Sequence, residues 1–572
     1  MYGATETEKT RWCIPDRLRE IVSKEDIYPL VYLIRFAQRN RLPLDDAKSI
    51  IASASRVDED VAACLENALE RIPPYASLNT LGREIDSLDG ETVDAYLEKG
   101  PIEYDAFTRE ESTPAGIAKL VLDILDIRPG EQVVDFGSGC GTFLETAFKE
   151  CPSAKFAGVE LKRDAVAFAK IRSFMTGSGI LYTRNDMFRF YEKNLAGNPV
   201  DKAFSNYPWS VRARSFQGTS AYADSIIDSQ GEHGRPLSAD WMFNQLLVDS
   251  LDDDGLAVGV MSNGACCNGT DRRIREYFIK EGFIKSIIAL PGGLYPYTTI
   301  LSTLVVLCPG GARGIRFVDA TDLGKKGRRT VSLENDDIET IIERLHNDSD
   351  RSRFLSVKEI ASMDYDLSAE RATRKDIVIP NGVELADIAS VRRGANLRAA
   401  ELDALNTDED TGISYLNLGN ISDGAIDDKL PSLTGLDPKF EKYLVKDGDL
   451  LISKSGAPFK IAVARVPEGR RILANGNLYI VHVDRDKINP YYLAAFLMSP
   501  LGRESLDRGT VGTSIPNIPV KNLLGIQVPL EDSNRQKSVA DAYVDEIDGI
   551  KTLKLRLAGA RERISDLFGK TE

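Results

Sequence analysis

VVDFGSGCGTFLETA, residues 133–147, sets an apolar, β-branched run ending in Asp135 against three alternating glycines, Gly137, Gly139 and Gly141, and then a helix-forming stretch. This order predicts a strand, a tight turn and a helix. Glycine takes positive φ and lets the backbone approach a ligand, and a helix start offers free amide donors to a carboxylate or phosphate. A dinucleotide enzyme would carry a similar turn, so the motif specifies the geometry more firmly than the ligand.

Outward from this turn, residues 111 to about 308 alternate helices with short apolar runs: a helix at 115–126, then EQVVDFG, KFAGVEL, ILYTRND, DKAFSNY, GLAVGVMSN, IKSIIALP and STLVVLCP. That alternation predicts an α/β, Rossmann-like, doubly wound and mostly parallel sheet, with the last two runs pairing antiparallel at one edge. The second run ends at Glu160, where an acid can bind both hydroxyls of a ribose; the bland alternative is a solvated strand-end acid. The third ends at Asn185-Asp186, where Asp186 can accept from an exocyclic amine of adenine. The fourth delivers Asn206-Tyr207-Pro208-Trp209. Alone, that tetrapeptide reads as a turn with an inward-packed aromatic. As one of four consecutive polar strand ends it reads as part of a ligand site, because open α/β sheets bind ligands along that edge.

The 572 residues exceed one core and predict three or four units, and 42% hydrophobic with 28% charged residues is the balance of a folded soluble protein. No apolar run is long enough to span a bilayer, and MYGATETEKTRWCIPDRLRE lacks the pattern of a signal peptide, so a cytoplasmic protein is expected. Seven scattered cysteines without C-x-x-C spacing and three histidines argue against a disulfide framework and a histidine-based metal site. A net charge of −15 argues at first against nucleic acid, yet residues 451–530 hold ten basic side chains (Lys454, Lys460, Arg465, Arg470, Arg471, Arg485, Lys487, Arg503, Arg508, Lys521) against five acidic ones. A basic segment in an acidic chain is the footprint of phosphate contact, although any single one of these side chains reads as a solvated face. No G-x-x-x-x-G-K-[ST] occurs, which argues against a built-in motor. Glu160-Leu161-Lys162 can mimic part of a nuclease motif but lies where the ribose-binding acid belongs.

From 111 to about 370 the chain resembles the DNA-methyltransferase (M) subunit of Type I restriction–modification systems, an adenine-N6 methyltransferase family that uses S-adenosylmethionine. The resembling stretches are Ser112-Thr113-Pro114, PGEQVVDFGSGCGTFLETA, Glu160, Asp186, SNYPW (205–209), ADWMFNQLLVDSL (239–251), VGVMSNG (258–264) and IIALPGGLYPYTTILSTLVVL (287–307). The resemblance implies that Thr113, Asp135, Gly137, Gly139, Gly141, Glu160 and Asp186 hold the cofactor and that Asn206, Tyr207, Pro208 and Trp209 hold the target base. Residues 376–572 resemble half of a Type I specificity (S) subunit, with VELADIASVRRGANL, ISYLNLGNISDGAI, VKDGDLLISKSGAPFKIAVA, NPYYLAAFLMSP and GTSIPNIPVKNLLGIQVPL followed by a spacer helix. The expected division is a helical domain over 1–105, a catalytic domain over 106–330, a connecting helical segment over 331–375, an α+β target-recognition domain over 376–530 and a spacer helix over 531–572.

The family usually carries Asn-Pro-Pro-aromatic, and here Tyr207 replaces the first proline. The chemistry needs two acceptors for the adenine N6 hydrogens, the Asn side chain and the next main-chain carbonyl. A residue before proline is already pushed to extended backbone, so Tyr207 can present its carbonyl as proline would, and Trp209 offers a face to a flipped base. The reading is site-specific adenine-N6 methylation of double-stranded DNA. Its rival is a catalytically silent DNA-binding subunit that holds the cofactor and recruits a separate restriction nuclease; methylation of RNA or a protein glutamine fits the recognition domain less well. Val539, Tyr543, Ile547, Ile550, Leu553, Leu557, Ile564 and Leu567 form an apolar stripe about 42 Å long at 1.5 Å per residue. The stripe joins a second copy in a twofold homodimer, packs back on the methyltransferase domain, or makes both contacts.

Overall fold

The computed structural model of the chain describes residues 13–100, 113–209, 211–233, 238–295, 298, 300–327, 330–374, 378–456, 458–510 and 517–566. Expectations placed on residues 1–12, 101–105, Ser112, 512–516 and Leu567 lie outside the described residues. The chain divides into two compact units, Met1–Arg374 and Lys375–Glu572.

In the N-terminal unit the apolar runs become β1 (Gln132–Phe136), β2 (Lys155–Glu160), β3 (Leu181–Arg184), β4 (Val200–Ser205), β5 (Leu251–Ser262), β6 (Ile284–Ala289) and β7 (Ser302–Leu307). Two more strands, β8 (Gly314–Asp319) and β9 (Ser352–Ser356), complete a nine-stranded sheet of order β9-β8-β6-β7-β5-β4-β1-β2-β3. Side chains alternate between its faces with the period of two that strands impose. Val133, Phe204, Val258 and Val260 enter one apolar layer, and Val134, Ala203, Ala257 and Met261 enter the other. Helix Ala115–Leu125 covers the first layer, its Gly116 lying where a Cβ would meet the Leu333 carbonyl oxygen at 2.7 Å; helix Asp240–Asp249 covers the second.

β6 and β7 pair antiparallel as expected, but inside the sheet and not at its edge, because β8 runs parallel to β6 and β9 antiparallel to β8. The stretch GIRFVD is interrupted by Arg316 and carries a weak strand pattern; burial of Ile315, Phe317 and Val318 against the sheet decides its conformation. Residues 331–375 are therefore more than a connecting helical segment: they contribute the edge strand as well as helices Asn335–His346 and Val357–Ser362.

The N-terminal helices, among them Lys24–Asn40, Glu59–Glu70 and Gly90–Lys99, share a core with the outer face of helix Arg163–Thr176, where Tyr28 meets Phe168 edge to face at 5.3 Å. Arg172 of that helix donates Nε to the Glu98 carbonyl (2.7 Å) and Nη1 to Thr142 Oγ1 (3.4 Å). One buried guanidinium thus ties the helical region to the helix that follows the glycine-rich turn.

The C-terminal unit mixes short strands and helices. Strands Ala389–Arg393, Leu478–Val483, Leu450–Ser453 and Ile461–Val463 form an antiparallel sheet in that order. Helix Pro490–Met498 shares its core, together with Val539, Ala540 and Tyr543 from the start of the long helix Ser533–Asp566. Ile547 is buried, but Leu553, Leu557 and Ile564 further along are 63%, 52% and 63% exposed. The first half of the predicted stripe thus packs on its own unit, and in the second half Leu553, Leu557 and Ile564 are presented to solvent. No helix among the described residues is long and apolar enough to cross a membrane.

Candidate active site

β1 and β4 are adjacent and parallel, with β2 on the far side of β1, so the chain reverses its progress across the sheet at β1. Such a switch point opens a crevice beyond the strand ends. Here the crevice is a cavity of about 620 Å³ lined by Gly137, Glu160, Leu161, Asp186, Met187 and Asn206–Trp209, with Phe216, Phe243, Thr298 and Ile300 on its walls. That volume lies within the roughly 300–1,000 Å³ of small-molecule sites.

The glycine-rich turn is built as its sequence implies. Gly137, Gly139 and Gly141 have φ of 80°, 52° and 78°, and a Cβ on Gly141 would lie 2.4 Å from the Tyr182 hydroxyl. Only Gly137 lines the cavity; Gly139 and Gly141 shape the turn behind it. Glu160 is tied to that turn: its Oε2 accepts from Gly139 N (3.1 Å), and its Oε1 accepts from Leu161 N (2.7 Å) and Lys162 N (2.9 Å). Three main-chain amides occupy most of the roughly four acceptor directions of a carboxylate. Asp186 caps the short helix Met187–Phe190 through Oδ1, which accepts from Phe188 N and Arg189 N.

Asp135 does not line the cavity. Its carboxyl is buried, Oδ1 has no hydrogen-bond partner, and burial, with the charge of Glu160 second, pushes its pKa well above the ordinary carboxylate range. Ser138 Oγ beside the turn is also buried without a partner. Unsatisfied polar atoms of this kind are rare in native folds and suit a site that receives a polar ligand. Leu161, 67% exposed, and Met187 add apolar surface between Glu160 and Asp186 that suits the face of a planar base. Acids, a glycine-rich turn and apolar flanks together fit a nucleoside-type cofactor.

Asn206 lines the cavity from the end of β4, with its carboxamide held on both sides. Nδ2 donates to Thr113 Oγ1 (3.3 Å), and Oδ1 accepts from the Tyr295 hydroxyl (3.1 Å). Thr113, expected among the cofactor ligands, does not line the cavity and bonds Asn206 instead. Tyr207 points inward: its ring stacks on Phe243 at 4.7 Å, and its hydroxyl donates to Asn244 Oδ1 (3.1 Å). Burial pushes the phenol's pKa well up, so it remains a neutral donor. Pro208 is exposed, and Trp209 is half-buried with its indole N–H donating to the Val260 carbonyl (3.0 Å) and its ring edge-to-face with Tyr295. Tyr295, Phe243 and Asn244 were not singled out by residue from the sequence. The aromatic cluster LYPY and the helix WMFNQLL are the signals that could have marked them, but nothing local says which side chain turns toward Asn206 and which toward Tyr207.

Tyr207→Phe should lower the thermal stability of the N-terminal unit, because it leaves the fully buried Asn244 carbonyl without its phenol donor. The expected cost is about 1–3 kcal/mol. An unchanged melting temperature by calorimetry would mean that the phenol does not anchor the loop.

The strand order, the glycine-rich turn after β1 and the acid ending β2 define the N-terminal unit as an open, doubly wound α/β fold with its ligand crevice at the switch point. Residues 109–377 match the model of the N-6 DNA Methylase family. The chain is 25% identical over 286 residues to the Type I restriction enzyme MjaVII methylase subunit of Methanocaldococcus jannaschii, covering 45% of this chain and 48% of that protein. It is 20% identical over 321 residues to the MpnII methylase subunit of Mycoplasma pneumoniae, covering 51% and 59%. The chain thus spans only part of the length of these relatives. The crystal structure of a type I restriction-modification methyltransferase subunit from Streptococcus thermophilus superposes with a TM-score of 0.50 at 17% identity, covering 64% of this chain and 98% of that one, a likeness of fold.

Proposed function

We propose that this protein transfers a methyl group from S-adenosylmethionine to the N6 of adenine in a defined double-stranded DNA sequence, as the modification and specificity part of a restriction–modification system. The observation that carries the reading is a single cavity lined by Glu160 and Asp186 from the ends of β2 and β3 and by Asn206–Trp209 from the end of β4, across β1, in a region that matches the N-6 DNA Methylase family. Glu160 takes the ribose, the turn Gly137–Gly141, with the buried Asp135 carboxyl behind it, takes the amino-acid portion, and Asp186, flanked by Leu161 and Met187, takes the adenine of the cofactor. When bound, the cofactor supplies a methyl group on a positively charged sulfur. Asn206 Oδ1 and the Tyr207 carbonyl accept the two N6 hydrogens of a flipped target adenine and so aim its nitrogen, while Trp209 and Pro208 bound the base. Such positioning can supply roughly 7–11 kcal/mol of a barrier, so the loop needs no strong base.

The C-terminal unit is the proposed reader of DNA sequence. Several of its basic side chains are engaged internally, Arg465 with Asp548, Arg470 with Asp410 and Arg471 with Glu441, so phosphate contact falls to others or follows rearrangement of these exposed pairs. One recognition unit contacts too few base pairs to discriminate against a genome, and a twofold pair would double the contacts on a palindromic site. The exposed Leu553, Leu557 and Ile564 of the long helix are the proposed joint between two copies, and DNA cleavage belongs to a separate nuclease subunit. Single-molecule sequencing of genomic DNA from cells with and without the protein should reveal N6-methyladenine in one inverted-repeat motif, and light scattering should find two copies per DNA. A methylome unchanged by the protein would overturn the methylation; a single copy on a non-palindromic site would overturn the dimer.

A further inference from the structure

The Asn206 carboxamide is gripped at both ends, and Tyr295 holds the end on which methylation depends. An asparagine amide carries an acceptor and a donor of nearly equal size, and only the acceptor can take a hydrogen from an adenine amine. Turned by half a rotation, the same side chain would set N–H against N–H. The loop must therefore hold the amide plane as well as place the residue. In this protein the Tyr295 hydroxyl donates to Asn206 Oδ1 at 3.1 Å, and Thr113 Oγ1 accepts from Nδ2 at 3.3 Å. Reversal of the amide would set Nδ2 against the phenol, which donates more readily than it accepts, while the Thr113 hydroxyl can serve in either role. Tyr295 is buried, and its ring packs edge-to-face on Trp209 at 4.9 Å, so its hydroxyl is aimed by packing.

Resting on the proposed methylation, we propose that Tyr295 is a positioning residue for that reaction. Its phenol O–H fixes the orientation of the Asn206 carboxamide, occupying one lone pair of Oδ1 and leaving the second for the N6–H of the target adenine. Thr113 is the opposing jaw of the same clamp, a role distinct from cofactor binding.

Tyr295→Phe keeps the ring and its contact with Trp209 and removes only the hydroxyl. With the full-length protein, tritiated S-adenosylmethionine and amplified, unmethylated genomic DNA, the single-turnover rate should fall about tenfold, the usual scale for one orienting hydrogen bond. S-adenosylmethionine affinity, measured by calorimetry, should not change. In an Asn206→Ala background the second substitution should cost nothing further, because there is no carboxamide left to orient; a merely structural role would add its loss in both backgrounds. Equal rates for wild type and Tyr295→Phe, additive losses in the double variant, or a crystal structure of Tyr295→Phe with the Asn206 amide still held in the same plane by another donor would each overturn the proposal. Absence of transfer by the wild type would overturn the methylation reading itself, which separates the two failures.

Discussion

Asn206→Ala should bind S-adenosylmethionine like the wild type while methyl transfer to DNA falls by about 10²–10³, the range seen when a preorganised polar group is removed from a reacting centre. The expectation rests on where the carboxamide sits. Thr113 and Tyr295 hold it from two sides, and it lines the cavity beside Pro208 and Trp209, across β1 from Glu160. Preorganisation makes the residue costly to lose, because an acceptor already fixed in place loses no freedom when the base arrives. Single-turnover transfer with tritiated cofactor, paired with calorimetric titration, separates the two sides of the cavity. Equal methylation by wild type and variant would sink the catalytic reading of the loop, and lost cofactor binding would place Asn206 on the wrong side of the site.

Glu160→Ala should weaken S-adenosylmethionine binding by about 1–3 kcal/mol, roughly five- to 150-fold, through the loss of a charged acceptor whose remaining open direction, on Oε2, takes a ribose hydroxyl. The structure adds a second contribution. Glu160 also accepts from Gly139 N, Leu161 N and Lys162 N, so its removal loosens the glycine-rich turn from the end of β2. Hydrogen exchange at Gly139 in cofactor-free protein should therefore speed up in the variant, a change that loss of a ligand contact alone would not produce. Unchanged affinity by calorimetry would mean that the ribose is held elsewhere, and unchanged exchange would mean that the turn keeps its shape without the acid.

β1 to β4 and their polar ends were legible in the sequence because each signal is local. A period-two apolar run makes the strand, and a glycine or an Asp or Asn residue stops it. Asp135, Glu160, Asp186 and Asn206 all fall at or just beyond those strand ends, and the α/β alternation alone places such positions on one edge of a parallel sheet. Tyr207 in place of proline was also visible as a departure. Its inward turn was not, because the stacking on Phe243 and the bond to Asn244 depend on how helix Asp240–Asp249 lies on the sheet.

Tertiary structure alone decided the rest. β8 and β9 carry weak strand patterns, and they are strands because β6 offered an unpaired edge; that is why the β6–β7 pair lies inside the sheet. Thr113 and Tyr295 stand 93 and 89 residues from Asn206 in the chain, yet both touch its carboxamide. Likewise the long helix shows one continuous apolar stripe in sequence, and only packing covers Tyr543 and Ile547 while leaving Leu553 and Leu557 in solvent. Hydrophobic period and turn chemistry report on neighbours within a few residues, so they determined which segments are strands and which positions end them. Contacts between distant segments follow from strand order, register and helix docking, which are set by the burial of whole faces against one another, and no local pattern of residues encodes them.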